Sequence, residues 1–148
     1  MDNLTRFMEY AGAFELTYGD NDWSRLHDYF AADAVYAVES DSFACKLEGP
    51  QAIFTGINKS LDGFDRKFTA RKIDLTSVPE IEGDEIRLGW KVTYEKDGLT
   101  PYVLLGRSRV RYRDGKIVEL VDSYDPSATA AAMAWQQANG VALDPSYT

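Results

Sequence analysis

EIRLGWKVTYEKDGLTPYVLLGRSRVRYRDGKIVELVDSYDP, residues 85–126, sets the architecture of this chain. Ile86, Leu88, Trp90, Val92 and Tyr94 alternate with Arg87, Lys91, Thr93 and Glu95. A period of two is the mark of a half-buried strand, because successive side chains point to opposite faces. Lys96-Asp97-Gly98 and Asp114-Gly115 have hairpin-turn chemistry and divide the stretch into three strands. Upstream, RKIDLTSV (71–78) and the turn Glu82-Gly83-Asp84 add a fourth strand. Three successive hairpin signals predict an antiparallel meander rather than a parallel sheet. Along GRSRVRYR the odd positions are Arg107, Arg109, Arg111 and Arg113. That stripe reads most simply as a solvated outer face, with an anion site or charged dimer contact as the sharper alternative.

Helical signals surround the meander. Leu4, Phe7, Ala11, Phe14 and Tyr18 recur at steps of three and four and predict a helix over about 4–18. Gly19, Asp20 and Asn21 break it, and Asp22 can cap a second helix, WSRLHDYF, with Trp23, Leu26 and Phe30 inside. AVYAVES (34–40) reads as a strand. Gly49-Pro50 opens a third helix with Ile53, Ile57 and Leu61 on one stripe. Asp125-Pro126 fits a cap followed by proline at the first helical position, opening a helix over about 126–139 that Gly140 stops. The expected fold class is α+β, a curved antiparallel sheet wrapped around N-terminal helices plus a C-terminal helix. One domain over 1–148 is expected, its core about 4–126.

Composition narrows the function. The 148 residues suit one core, and an aromatic share of 13% points to a core or cavity rich in rings. Sixteen basic against 24 acidic residues leave a net charge of −8. That charge argues against nucleic-acid partners and against anionic membranes. Cys45 is the single cysteine and His27 the single histidine, so neither a disulfide nor a His-rich metal site is expected. There is no phosphate loop and no G-x-S-x-G elbow, and no cofactor is expected. The first residues lack a basic start followed by an apolar run, and the cytoplasm is the default compartment.

FELTYGDNDWSRLHDYFAADAVY and DGKIVELVDSYD closely resemble the opening and the last strand of nuclear transport factor 2-like proteins, including the SnoaL-like polyketide cyclases and limonene epoxide hydrolases. The resemblance spans about residues 4–126 and implies a cone, a cystatin-like fold whose curved sheet wraps a deep apolar pocket. It also implies a homodimer through the outer sheet face. Ketosteroid isomerase is similar around the first helix and strand, and it is a worked example of a carboxylate base with a Tyr/Asp oxyanion hole. Its tyrosine falls on Phe14 here and its base on Val38, neither of which can move a proton. In the epoxide hydrolase pattern Tyr36 matches the water-holding tyrosine, Val38 replaces an asparagine and Asp122 takes the base position. The Arg and acid-donor positions fall on Gly89 and Lys91, so the proton donor that epoxide opening needs is missing. The cyclases imply a single aspartate on the last strand, and Asp122 fits.

Asp122 shares a strand face with Val118, Leu120 and Tyr124. Desolvation there would raise its pKa toward values useful for general acid or base work. The alternative is a hydrogen bond or ion pair closing the sheet onto a helix. Asp122 and Tyr36 are thus the candidate catalytic residues. Phe14, Tyr18, Val38, Phe54, Trp90 and Tyr124 are the candidate walls of a site for a small apolar molecule. A cofactor-independent cyclase, isomerase or hydrolase is the leading reading. A non-catalytic binder of a hydrophobic metabolite and a dimeric structural module are the alternatives. Asp125 reads as a cap, His27 as a surface residue and Lys91 as outward-facing.

Overall fold

A computed structural model describes residues 2–148. Helix α1 spans Asn3–Asp20, its N-terminus capped by the Asp2 carboxylate, which accepts from the Thr5 amide at 2.7 Å. Asn21 in the left-handed region (φ 64°) ends it. Its deepest residues are Phe7, Tyr10 and Thr17, so the buried stripe is centred on Tyr10 rather than on Ala11. The expected second helix is present over Trp23–Tyr29 and is a 3-10 helix. The Asp22 carboxylate caps Ser24 at 3.2 Å as anticipated. Phe30 already belongs to strand β1 (Phe30–Glu39), where it pairs with Ile117, leaving the run too short for α-helical bonding to propagate.

Strand β2 (Cys45–Glu48) folds back on β1, and its four residues carry too little pattern to be read from sequence. Helix α2 (Pro50–Gly63) buries Ile53, Ile57 and Leu61 as predicted. The meander follows as β3 (Ala70–Leu75), β4 (Glu80–Glu82), β5 (Glu85–Glu95), β6 (Tyr102–Arg113) and β7 (Lys116–Ser123). The strand expected over 71–78 is present as β3 but ends at Leu75, and the short β4 that follows also pairs with β5. Helix α3 (Pro126–Asn139) stops at Gly140, φ 63°.

The sheet order is β2-β1-β7-β6-β5-β3, with β4 also on β5. Every pairing is antiparallel except β1 with β7, which is parallel. The fold is therefore α+β with a curved, antiparallel-rich sheet, as expected, and the meander of the last strands is antiparallel throughout; β1 joins β7 by the one parallel contact among the described strands. That contact joins the two strands farthest apart in sequence, where no local turn sets the register. It places Tyr36 opposite Leu120 and Val38 opposite Asp122. The β6–β7 register shifts between Arg111 and Tyr112, leaving Val118 as an extra residue. Ile117 and Leu120, three apart, consequently join the same core cluster.

Two aromatic-rich clusters fill the inside. One gathers α1, α2, β1 and β7 around Phe30, Ile53 and Ile117; the other gathers Phe64, Phe68, Tyr94, Tyr102 and Trp135. Trp90 and Tyr124 pack against both, with ring centroids 5.7 Å apart edge to face. Outside, Arg107 pairs with Asp125, Arg109 with Glu119, Glu85 and Glu39, and Arg113 with Asp33. The arginine stripe thus lies on the outer face of the sheet, with its charges matched within the chain. No helix among the described residues is long and apolar enough to cross a membrane.

Candidate active site

The sheet curves around a cavity of about 850 Å³ that lies between the two clusters. Phe7, Tyr10 and Phe14 of α1 form one wall, and Trp90, Tyr94 and Tyr124 another. Asp122 opens onto it from β7, Tyr36 from β1 and Ser108 from β6.

Asp122 is surrounded by protein, and the surface it retains faces the cavity. Its Oδ2 accepts from the Tyr36 hydroxyl at 2.7 Å. Its Oδ1 accepts from Ser108 Oγ at 2.6 Å, and that oxygen accepts from Trp90 Nε1 at 2.9 Å. Cross-strand neighbourhood fixes the arrangement, because Asp122 sits opposite Val38 of β1 and Ser108 of β6. Gly106 supplies room for the indole, since a Cβ there would overlap the Trp90 ring. No lysine or arginine reaches the carboxylate among the described side chains. Burial therefore dominates and holds the Asp122 pKa above the ordinary carboxylate value, with the Ser108 and Tyr36 bonds pulling the other way. Burial, then the charge of Asp122, pushes the Tyr36 phenol well up, so it stays a neutral donor.

The cavity has a second polar group at its other end. Asp65, just after α2, accepts from Tyr94 Oη at 3.1 Å and from Arg71 Nη1 at 3.1 Å. Arg71, on β3, also reaches Glu15 at 2.8 Å and lies over the Tyr18 ring at 4.1 Å. Burial raises the Asp65 pKa, although Arg71 opposes it.

Of the residues named from sequence, Asp122, Tyr36, Phe14, Trp90 and Tyr124 converge on this cavity. Tyr18, Val38 and Phe54 do not line it. The Tyr18 hydroxyl turns to the Asp65 carbonyl at 3.2 Å. Val38 is sealed in the core at 2% exposure. Phe54 packs behind the wall on Trp23 and Phe30. All three lie on apolar faces, but helix and strand periodicity gives a face, not a depth. Asp125 stands at the cap position of α3, yet its carboxylate makes no cap bond and pairs instead with Arg107 at 3.0 and 3.1 Å. Lys91 and His27 are exposed.

Ser108, Tyr147 and the Asp65–Arg71 pair went unnoticed in the sequence. Ser108 had a signal, being the one short polar side chain among the inward positions Tyr102, Leu104, Gly106, Val110 and Tyr112 of β6. Tyr147 had none, because it follows α3 in a segment without regular structure. No group of three or more His, Cys, Asp or Glu side chains is placed to hold a metal among the described residues.

Comparison with known proteins agrees with this architecture. A Catenulispora acidiphila protein of ketosteroid isomerase-like fold, solved with trimethylamine, is 19% identical, with 90% of this chain and 93% of that one covered and a TM-score of 0.61. TerC, co-crystallised with polyporic acid, is 15% identical over 89% of this chain and 98% of its own, with a TM-score of 0.64. An LEH-like epoxide hydrolase of M. tuberculosis is 15% identical over 90% and 94%, with a TM-score of 0.60. At such identities these likenesses show the fold alone. No curated protein matches the chain. The SnoaL-like domain model matches residues 10–120, three quarters of the chain, and the protein belongs to that family.

Proposed function

We propose that this protein is a cofactor-independent enzyme that moves a proton on a small, largely apolar, oxygenated molecule, with Asp122 as general acid/base. One observation carries the reading. Asp122 is enclosed, lacks a cationic partner, and faces an aromatic cavity large enough for a multi-ring ligand. A carboxyl whose pKa is raised by desolvation can take a proton from a carbon or oxygen acid and return it nearby. The Tyr36 and Ser108 hydroxyls fix its two oxygens and stabilise the anion when the proton leaves. A cyclisation, isomerisation or hydrolysis needs little beyond such a group and a shaped wall. The bound ligands of two structural neighbours, trimethylamine and polyporic acid, are in keeping with a small-molecule site in this fold.

A second reading is a binder without chemistry. It is favoured by the other buried carboxylate, Asp65, which is already committed to Arg71 and Tyr94 and leaves Asp122 without a second acid. We propose further that the chain is one domain acting in the cytoplasm as a homodimer through the outer sheet face. There Val103 and Leu105 of β6 stand 47% and 56% exposed.

The discriminating experiment follows α-proton exchange of 2-tetralone in D₂O by NMR. The wild type is expected to accelerate exchange, and Asp122→Asn to lose about 10²-fold or more of that acceleration. Tetralone that binds but exchanges equally with both proteins would establish the binder.

A further inference from the structure

Tyr124 stands two residues beyond Asp122, on the same face of the last strand. The strand register persists past β7, because the Tyr124 amide donates to the Glu39 carbonyl of β1 at 2.9 Å. Extended backbone at Asp125 (φ −72°, ψ 155°), ahead of Pro126, then leads into α3. Two strand residues advance the backbone by roughly 6.5–7 Å, so β7 itself sets the spacing of the two side chains, however the helices seat. The Tyr124 ring packs between Trp90, with centroids 5.7 Å apart edge to face, and Phe43 at 5.2 Å. Trp90 belongs to the carboxyl's own network, since its Nε1 donates to Ser108 Oγ, which donates to Asp122. One indole thus steadies both groups.

The hydroxyls around the cavity differ in what they bond. Tyr36 gives its proton to Asp122, and Tyr94 gives its own to Asp65. The Tyr102 and Tyr112 hydroxyls are enclosed without a partner. The Tyr124 hydroxyl bonds no protein group either, yet it is not enclosed, and its side chain lines the cavity. A phenol in an apolar wall, with no protein acceptor and nothing sealed over it, is placed to bond whatever fills the void. Burial pushes the Tyr124 phenol well above its usual value, so it stays a protonated donor. Tyr10 and Tyr147 also border the cavity. They arrive from α1 and from the segment beyond α3, and neither shares a strand with Asp122.

We propose that Tyr124 is a second catalytic residue, whose hydroxyl donates to the carbonyl oxygen of a substrate with an acidic hydrogen on the adjacent carbon. This rests on the reading of Asp122 as a proton-transfer group and narrows the substrate to a ketone or similar carbonyl compound. The Asp122 carboxylate takes the hydrogen from the carbon beside the carbonyl. The C–H electron pair becomes a new C=C bond, and the carbonyl π pair moves onto oxygen, giving an enolate. The Tyr124 hydroxyl meets that oxygen and stabilises the charge as it develops. Asp122 then returns its proton to carbon and the C=O bond re-forms. Both side chains end as they began, so the step balances without a co-reactant. A base reaches the carbon at about 3–3.5 Å and a phenol the oxygen at about 2.6–3.2 Å, a combined reach that spans a two-residue strand spacing. Tyr36 and Ser108 are not free for this role, because each already gives its one proton to Asp122.

The test uses the full chain and Tyr124→Phe, which keeps the ring and removes the hydroxyl. Exchange of the α-hydrogens of 2-tetralone in D₂O is expected to slow about 10²-fold in kcat, with KM little changed. Binding is read beside it with two planar probes: 2-naphthol, shaped like the tetralone enol, and naphthalene, which has no oxygen. The variant is expected to bind 2-naphthol about 10-fold more weakly and naphthalene as the wild type does. Equal losses for the two probes, or no loss for either, reduce Tyr124 to a piece of wall and overturn the proposal. Unchanged exchange in Tyr124→Phe, where Asp122→Asn loses it, overturns the donor and leaves the reading of Asp122 standing. Unchanged exchange in both variants overturns the reading of Asp122, and the catalytic role of Tyr124 with it. The urea midpoint of Tyr124→Phe should match that of the wild type. A clear fall would mean that the hydroxyl is bonded within the protein, and would equally overturn the proposal.

Discussion

Replacing Asp122 with asparagine should make this protein more stable at neutral pH. The carboxyl has two hydroxyl partners, Tyr36 at 2.7 Å and Ser108 at 2.6 Å, and no cation. Its folded pKa lies above its unfolded one, with burial as the largest cause. The native state therefore holds the proton at pH values where the unfolded chain has released it. Stability is lost as pH rises from the unfolded pKa through the folded one, at about 1.4 kcal/mol for each pH unit that separates them. Asparagine has nearly the same shape and carries no charge, so it escapes that cost. Taking a lone carboxylate out of water costs several kcal/mol, and the two hydroxyl bonds offset much of it, at about 1.5–3 kcal/mol each. Asparagine forfeits part of one hydrogen bond, about 1 kcal/mol, because its amide must donate where a carboxylate oxygen accepted. The net gain above the folded pKa is then on the order of 1–2 kcal/mol. At this chain length that is roughly 2–8 °C in Tm. Below the unfolded pKa the gain should vanish, since both side chains are then neutral. Thermal and urea unfolding of the two proteins from about pH 3.5 to pH 8 measure the difference across the carboxyl range. A variant that is less stable than wild type at the alkaline end, by an amount independent of pH, would refute this expectation. It would mean that the carboxylate is satisfied as an anion.

Removing Asp65 should act in the opposite sense. Asp65→Ala strands the Arg71 guanidinium, 6% exposed, and should cost about 3–5 kcal/mol in urea unfolding; a loss below about 1 kcal/mol would mean that Glu15 alone satisfies it. Gly106→Val should push the Trp90 indole from its seat, costing roughly 1–3 kcal/mol by overpacking and shifting the tryptophan emission, and an unchanged spectrum would contradict the contact. Light scattering on the wild type should give the mass of a dimer, and Val103→Lys with Leu105→Lys the mass of a monomer. A monomeric wild type removes the outer-face interface.

Asp122 and Ser108 mark the line between local and long-range information. The period-two patterns of 85–95 and 102–113 define which side chains turn inward, and the turn signals define the antiparallel order of β5, β6 and β7. These properties are written into neighbours within a few residues, so they are legible before folding. The stripes of α1 and α2 and the glycine stop after α3 are equally local. Depth is not local. Tyr18, Val38 and Phe54 lie on faces that the periodicity identified, but which of them meets the void depends on how the helices seat against the curved sheet. The parallel pairing of β1 with β7 brings together Tyr36 and Asp122, 86 residues apart, and no turn announces it. Alternation along β7 was enough to stand a carboxylate on an apolar strand face. Long-range packing supplied the rest: hydroxyls from β1 and β6 that hold it, the lack of a nearby cation, and a tyrosine from beyond α3 that closes the wall. The pKa of a buried acid depends on everything within a few ångströms, and here those neighbours arrive from separate segments of the chain that meet only when it folds.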